Sequence, residues 1–339
     1  MYDRYILKGS VYEMGLEAGR IFKDPINAEI AEYEERLKDE KTAALVRNIE
    51  DRMRAELPLC LEELYGRADG AGVNREALIL FYSPEVYLKP DGCTTVFYRK
   101  KDRVLFSHNE DDVDCDHKNR ALIKFDFGDR WFVGFSDYHK LTGSSFSYNS
   151  QGIVCSCNYL FHSEVDLDNL SRYIVSRDML DAGSIGECLD KLKSHRPASA
   201  FSCNILDINT LEACNIENDL KDMYITDITG KFSRSNHFLN RKDAIMSDNS
   251  RYRFLKAKER MEALDETADI DGLRDVLRYE DREYVRSIFM DPLKYGPEHR
   301  PVTVANFSID TLTKTVKIFD GLDHSEYVTD FHTFTADSK

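Results

Sequence analysis

The chain has 339 residues, 42% of them hydrophobic, and a formal net charge of −15 from 46 Lys and Arg against 61 Asp and Glu. That length and composition suit one large or two ordinary globular domains with a sizeable core. A field of that sign repels phosphate backbones and anionic membranes, which sets nucleic acid aside as a partner. The opening residues, MYDRYILKGSVYEMG, lack a basic start followed by an apolar stretch, and no run of 18 apolar residues occurs. The expectation is a cytoplasmic protein with no leader and no membrane association.

From about 12 to 88, apolar residues recur at helical spacing, as in Leu45, Ile49 and Met53 and again in Leu57, Leu61 and Leu64, with Pro25, Pro58 and Gly66 to Gly72 as punctuation. After Cys93 the pattern changes to short alternating or apolar runs, TTVFY, RVLFSH, ALIKFDF, RWFVGF, SFSYN and GIVCSCNYL, which predict successive antiparallel strands. Helices are predicted near 168–180 and 184–195, strands around 201–228, and a helical pair over about 249–280. PVTVANFSIDTLTKTVKIFDG reads as a closing hairpin with its turn at Thr311 to Lys314. Helices outside and strands within predict an α+β layered sandwich, folded as one compact unit without repeats or linkers.

Few motifs offer chemistry. In NEDDVDCD, at 109 to 116, Asp112, Asp114 and Asp116 match the first ligands of a calcium loop, but His117 stands where Gly is needed and Ile123 where the bidentate Glu is needed. Cys155 and Cys157 share a face of a predicted strand but lack a second pair to complete a zinc set. No metal and no cofactor is therefore expected. The eight cysteines form no CxxC pair, and all but Cys93 read as buried small hydrophobes. Among the nine histidines, His108 and His237 lie beside other candidate residues. GxSxG, Walker and GxGxxG signatures are absent.

Cys93, in DGCTTV, stands where helical pattern gives way to strand pattern. One reading is a buried cysteine at the entry to a strand. The other is a nucleophile. A thiol with a free pKa of about 8.5 needs a base, and cutting the Gly92–Cys93 bond would give Cys93 an α-amine of pKa about 7.7–8.0 to act as one. Gly92 suits a scissile position because it leaves its carbonyl unshielded.

GCTTV followed by a strand, a turn and HNED at 108 to 111 resembles the start of the catalytic chain in the acyl-coenzyme A:6-aminopenicillanic acid acyltransferase family of N-terminal nucleophile (Ntn) hydrolases, distant relatives of the choloylglycine hydrolases. GSVYEMGLEAG at 9 to 19, LTGSSFSYNSQGIVCSCNYL at 141 to 160 and SNHF at 235 to 238 resemble further motifs of that family, in the same order.

The resemblance implies a four-layer αββα sandwich with a mainly helical segment 1–92 and a catalytic segment 93–339, packed as one domain after cleavage at Gly92–Cys93. It makes Cys93 the nucleophile, Asp111 the carboxylate that orients the cysteine and its amine, and Asn236 the oxyanion donor. Asn149 would be a second amide near the oxyanion and substrate, and Arg300 a supporting cation. The implied reaction is hydrolysis of a linear amide in a small N-acyl amine through a Cys93 thioester, with acyl transfer to an amine or an uncut, non-catalytic binding protein as alternatives. A homo-oligomer is compatible with the sequence. Family members often carry an aromatic residue after the motif Asp, where Asp112 stands here, which bears on the substrate pocket.

Overall fold

The computed structural model describes residues 1–83, 85, 92–161, 164–241, 245–295 and 299–337. The chain enters through β1 (Asp3–Lys8) and five helices: α1 (Val11–Ile21), α2 (Lys23–Arg36), α3 (Glu40–Glu56), α4 (Pro58–Ala71) and α5 (Arg75–Phe81). Local chemistry sets these limits. Ser10 and Glu13 form a capping box at the start of α1, Asp39 and Asn74 cap α3 and α5, and Pro58 opens α4, which ends on Gly72 at φ 76°. The expected end of the helical stretch near 88 lies outside the described residues, as does the approach to Gly92 at 86–91.

Strands β2 (Gly92–Arg99), β3 (Val104–Asp112), β4 (Arg120–Asp126), β5 (Trp131–Asp137), β6 (Phe146–Asn149) and β7 (Ile153–Tyr159) follow. Then come α6 (Arg172–Asp178), α7 (Ile185–Ser194), β8 (Phe201–Asp207), β9 (Ala213–Asn218), β10 (Met223–Asp227), β11 (Lys231–Arg234), α8 (Asp248–Glu262), α9 (Ile270–Leu277), β12 (Val302–Asp310), β13 (Thr315–Asp320) and β14 (Glu326–Asp330). The closing hairpin turns where expected, between β12 and β13, with Lys314 at φ 54°. β1, β11 and β14 are short strands that the residue pattern did not announce.

The strands form two sheets, β1-β4-β5-β6-β7-β8-β9-β10 and β11-β2-β3-β12-β13-β14. Three apolar clusters separate the layers. One joins α1–α7 to the outer face of the first sheet, through side chains such as Phe22, Leu64, Ile174, Ile123 and Ile205. A second lies between the sheets and includes Phe97, Phe106, Phe135, Phe146 and Phe307. The third joins Val96, Tyr98 and Leu105 of the second sheet to α8 and α9 through Ala257, Met261 and Leu273. Helix, sheet, sheet and helix are thus stacked as the αββα expectation had it.

The N-terminal helices are built into this stack. β1 pairs in parallel with β4, and α1 and α4 cross with their backbones almost touching. A Cβ on Gly15 or Gly19 would meet the carbonyl oxygens of Glu63 and Arg67 at 2.4 and 2.2 Å, and one on Gly66 or Gly70 would meet those of Tyr12 and Leu16 at 2.2 and 2.0 Å. Gly15 and Gly19 of the GSVYEMGLEAG stretch therefore serve helix packing. Among the described residues, no helix is long and apolar enough to cross a membrane.

Candidate active site

β2 and β3 form an antiparallel hairpin in which Gly92 opposes Asp111, Cys93 opposes Glu110 and Thr95 opposes His108. Side chains alternate across a strand, so Cys93, Thr95, His108 and Glu110 share the face toward the other sheet, while Thr94, Asn109 and Asp111 share the face toward α8 and α9. Cys93 is 2% exposed, and its Sγ–H donates to Glu110 Oε2 at 3.5 Å. The carboxylate on the thiol's own face is thus Glu110, while Asp111 faces away from the thiol, one residue off the expected assignment.

Glu110 is fully engaged. Oε1 accepts from Lys140 Nζ at 3.1 Å, and Oε2 meets His108 Nε2 at 3.1 Å. Burial alone would raise its carboxyl, but Lys140 and His108 overcome that and hold it at about 2. The imidazole is anchored behind: Nδ1 lies 2.8 Å from Thr95 Oγ1, which donates to Asn158 Oδ1 at 2.9 Å.

Asp111 lies against the bond in question from the other face. A Cβ added to Gly92 would stand 3.0 Å from Asp111 Cβ and 3.3 Å from Oδ2, so only glycine fits opposite this carboxylate without displacing it. Thr303 Oγ1 donates to Oδ1 at 2.7 Å, while the buried Oδ2 accepts no hydrogen bond from the described residues and has Arg253 Nη1 3.7 Å away. Burial, only partly offset by Arg253 and Thr303, raises this carboxyl above its ordinary range.

Asn236 is brought to Cys93. Its Oδ1 accepts from the Cys93 backbone N–H at 2.9 Å and from Arg253 Nη2 at 2.7 Å, and its Nδ2 donates to Tyr159 O at 3.0 Å. One amide hydrogen of Nδ2 is left to offer a substrate. Next to it, His237 shares the Ser250 hydroxyl, and burial together with Arg234 and Arg253 pushes its imidazole down to about 4, so it is neutral at neutral pH.

Arg253 was missed by the sequence reading. From α8 its guanidinium donates to Cys93 O at 2.7 Å and Thr94 Oγ1 at 2.8 Å as well as to Asn236. A signal existed: Ser250, Arg253, Ala257 and Met261 form the buried stripe of α8, and an arginine on such a stripe needs partners inside.

The other two expected residues are not brought to the thiol. Asn149, at the end of β6, donates to Leu180 O and Ala182 O and accepts from the N–H groups of Gln151 and Ile153. Its amide pins the β6–β7 turn, at the opposite end of β7 from Tyr159 and Cys93. Arg300 donates to Val113 O and His299 O, beyond the end of β3. Cys115, expected to be buried with the other cysteines, is only half-buried. Beside the thiol lies a cavity of about 10 Å³, room for about one water, lined by Cys93, Glu110, Cys157, Tyr159, Arg172 and Tyr173 among others.

The family model of acyl-coenzyme A:6-aminopenicillanic acid acyl-transferase matches residues 98–305, beginning just past Cys93 and covering Asp111, Asn149, Asn236 and Arg300. Beta-alanyl-dopamine/carcinine hydrolase of Drosophila melanogaster is 23% identical over 230 residues, 58% of this chain and 59% of its own length, so the match spans about three fifths of that curated relative. Penicillin V acylase from Agrobacterium tumefaciens shares the fold, with a TM-score of 0.50 and 14% identity over 70% of this chain and 86% of its own. A conjugated bile acid hydrolase from Clostridium perfringens gives a TM-score of 0.48 and 13% identity over 70% and 92% of the two chains.

Proposed function

The chain belongs to the acyl-coenzyme A:6-aminopenicillanic acid acyl-transferase family, and from that premise we propose that it is a cysteine amidase of the Ntn type that cuts itself between Gly92 and Cys93 and then hydrolyses a linear amide in a small N-acyl amine. The names of the relatives, hydrolases and acylases of small amides, support that substrate class. The observation that carries the reading is the convergence on Cys93 of Asn236, Arg253 and, across Gly92, the hydrogen-bond-deficient Oδ2 of Asp111.

In the uncut chain, the Cys93 thiol attacks the Gly92 carbonyl carbon. The peptide C–N bond breaks as the thioester forms, and the thiol proton passes to the departing amine. Water then hydrolyses the thioester and restores the thiol. Once Gly92 has left, the new α-amine sits beside Asp111, whose Oδ2 gains a hydrogen-bond donor in addition to the Arg253 charge. In turnover the amine takes the thiol proton and the thiolate attacks the substrate carbonyl. Asn236 Nδ2 donates to the oxyanion, a contact worth roughly 3–4 kcal/mol. The amine product leaves with the proton, and water releases the acid. Acyl transfer differs in one respect, the second acceptor being an amine instead of water, and the family's name supports keeping it as the second reading.

Denaturing mass spectrometry of protein held at neutral pH tests the reading. The 339 residues should separate into chains of 92 and 247, and Cys93→Ala should remain whole. Full-length mass in an otherwise active enzyme would refute self-cleavage as its activation, and a stable, inactive full-length chain would favour a binding protein on the same fold.

A further inference from the structure

The thiol shares its face of the β2–β3 hairpin with two other metal-ligating groups. Cys93 Sγ lies 3.5 Å from Glu110 Oε2, that oxygen lies 3.1 Å from His108 Nε2, and the three atoms all fall within 4.8 Å of one another. Around a tetrahedral zinc ion, with bonds of about 2.3 Å to sulfur and 2.0–2.2 Å to nitrogen and oxygen, neighbouring ligand atoms stand roughly 3.3–3.6 Å apart. Two of the three pairs are close to that spacing before any metal arrives. Sulfur, imidazole and carboxylate are also the donor set zinc selects over magnesium or calcium.

We propose that Cys93, His108 and Glu110 form a zinc site that blocks the nucleophile. The surroundings suit it. Lys140 takes Glu110 Oε1, which leaves Oε2 for the ion. A zinc-bound imidazole is normally held through its other nitrogen, and here Nδ1 faces Thr95 Oγ1, whose own hydrogen goes to Asn158 Oδ1, so Nδ1 donates and Nε2 is the ligating atom. The water-sized cavity beside Cys93 and Glu110 provides the fourth position. Binding displaces the thiol hydrogen as a proton to solvent, together with any hydrogen that Nε2 carries, with no change in oxidation state. With its sulfur in the coordination shell, Cys93 cannot attack a carbonyl.

Two other clusters in the described residues could compete, and both are already neutralised. In the Asp112, Asp137 and His139 cluster both carboxylates pair with Arg120, and in the His117, Asp320 and Asp323 cluster both carboxylates pair with the N-terminal amine of Met1. The inhibitory consequence rests on the proposed nucleophile, but the binding does not.

The test is titration of the purified, metal-free chain with zinc chloride in competition with a chromophoric chelator. Cobalt substitution serves as a second readout, because a thiolate ligand gives a charge-transfer band in the near ultraviolet. Wild type should bind one zinc per chain. Cys93→Ala should lose both the zinc and the band, and His108→Gln and Thr95→Val should each weaken binding at least about tenfold. His117→Ala and Cys115→Ser should bind as wild type does. Should His108→Gln fail to fold, Thr95→Val and Cys93→Ala still decide the matter. Equal zinc affinity in wild type and Cys93→Ala, or loss of zinc in His117→Ala or Cys115→Ser, would overturn the assignment. A chain that binds zinc at Cys93 yet hydrolyses no amide would leave the site standing and remove the proposed activity.

Discussion

Glu110→Gln is the substitution whose cost follows most directly from the geometry. Glu110 and Lys140 are each 3% exposed, with 3.1 Å between Nζ and Oε1. Glutamine keeps the volume and some hydrogen bonding but removes the carboxylate paired with the buried Lys140 ammonium, and taking one partner from a buried pair costs about 3–5 kcal/mol in other proteins. Proton linkage gives a similar figure. A carboxyl held at about 2 against an ordinary 4.5 contributes about 3 kcal/mol at neutral pH. Because its folded pKa is depressed, that contribution is present above about pH 4.5 and is lost as pH falls toward 2. Urea unfolding at pH 7 should therefore find Glu110→Gln about 3 kcal/mol less stable than wild type, with the gap closing below pH 4. Glu110→Gln with Lys140→Met should recover most of the loss. A single-variant loss below about 1 kcal/mol, or a gap unchanged at pH 3, would mean that the pair is solvated and that its carboxylate does not hold the thiol's surroundings.

Asp111→Asn should lower cleavage and turnover far more than Asp112→Asn, since Asp112 binds Arg120 at 2.8 Å, away from Cys93. Assays on a panel of N-acyl amines, normalised to folded protein, separate the two, and equal losses would mean that the acidic run acts as a unit. Asn236→Ala should reduce turnover roughly 10²–10³-fold, and normal turnover per folded molecule would mark Asn236 as structural only. Gly92→Ala should slow cleavage, because its Cβ would press on Asp111 at 3.0 Å. Intact mass over time checks this, and wild-type kinetics would place Asp111 farther from the scissile bond than the geometry has it.

The layer order was legible because strand and helix periodicities change abruptly at Cys93 and the buried runs are long. What sequence could not supply was register. Arg99 pairs with Val104 across the turn at 100–103, and a slip of one residue there would exchange Glu110 for Asp111 on the thiol's face. The motif identified the right stretch, HNED, and assigned Asp111 to the cysteine and its amine, whereas the register puts Glu110 at the thiol and Asp111 opposite Gly92. Asn149 failed for a related reason: an asparagine at a strand end is equally suited to satisfying backbone groups in a turn, and here four such groups take its whole amide. β1 was unreadable because its partner, β4, is more than a hundred residues away along the chain.

The segment before Gly92 is also tied into the rest of the fold by buried polar contacts. The close crossing of α1 and α4 sets Glu63 and Arg67, both buried, at the interface with the rest of the protein. Glu63 accepts from Arg177 Nε of α6 at 2.7 Å. Arg67 donates to Thr142 Oγ1 at 3.2 Å and lies 3.4 Å from Lys140 O, while Tyr82, just past α5, donates to Tyr138 O at 2.9 Å. These bonds hold the loop at 138–142 from which Lys140 reaches Glu110. Discarding the segment would take Glu63 away from the buried Arg177, which keeps Asp181, and unfasten that loop, at a cost of several kcal/mol for the broken buried pair. Cleavage at Gly92 would therefore cut a covalent bond without releasing a piece: the N-terminal helices remain as a subunit whose polar contacts fix Lys140, and through it the carboxylate beside the nucleophile.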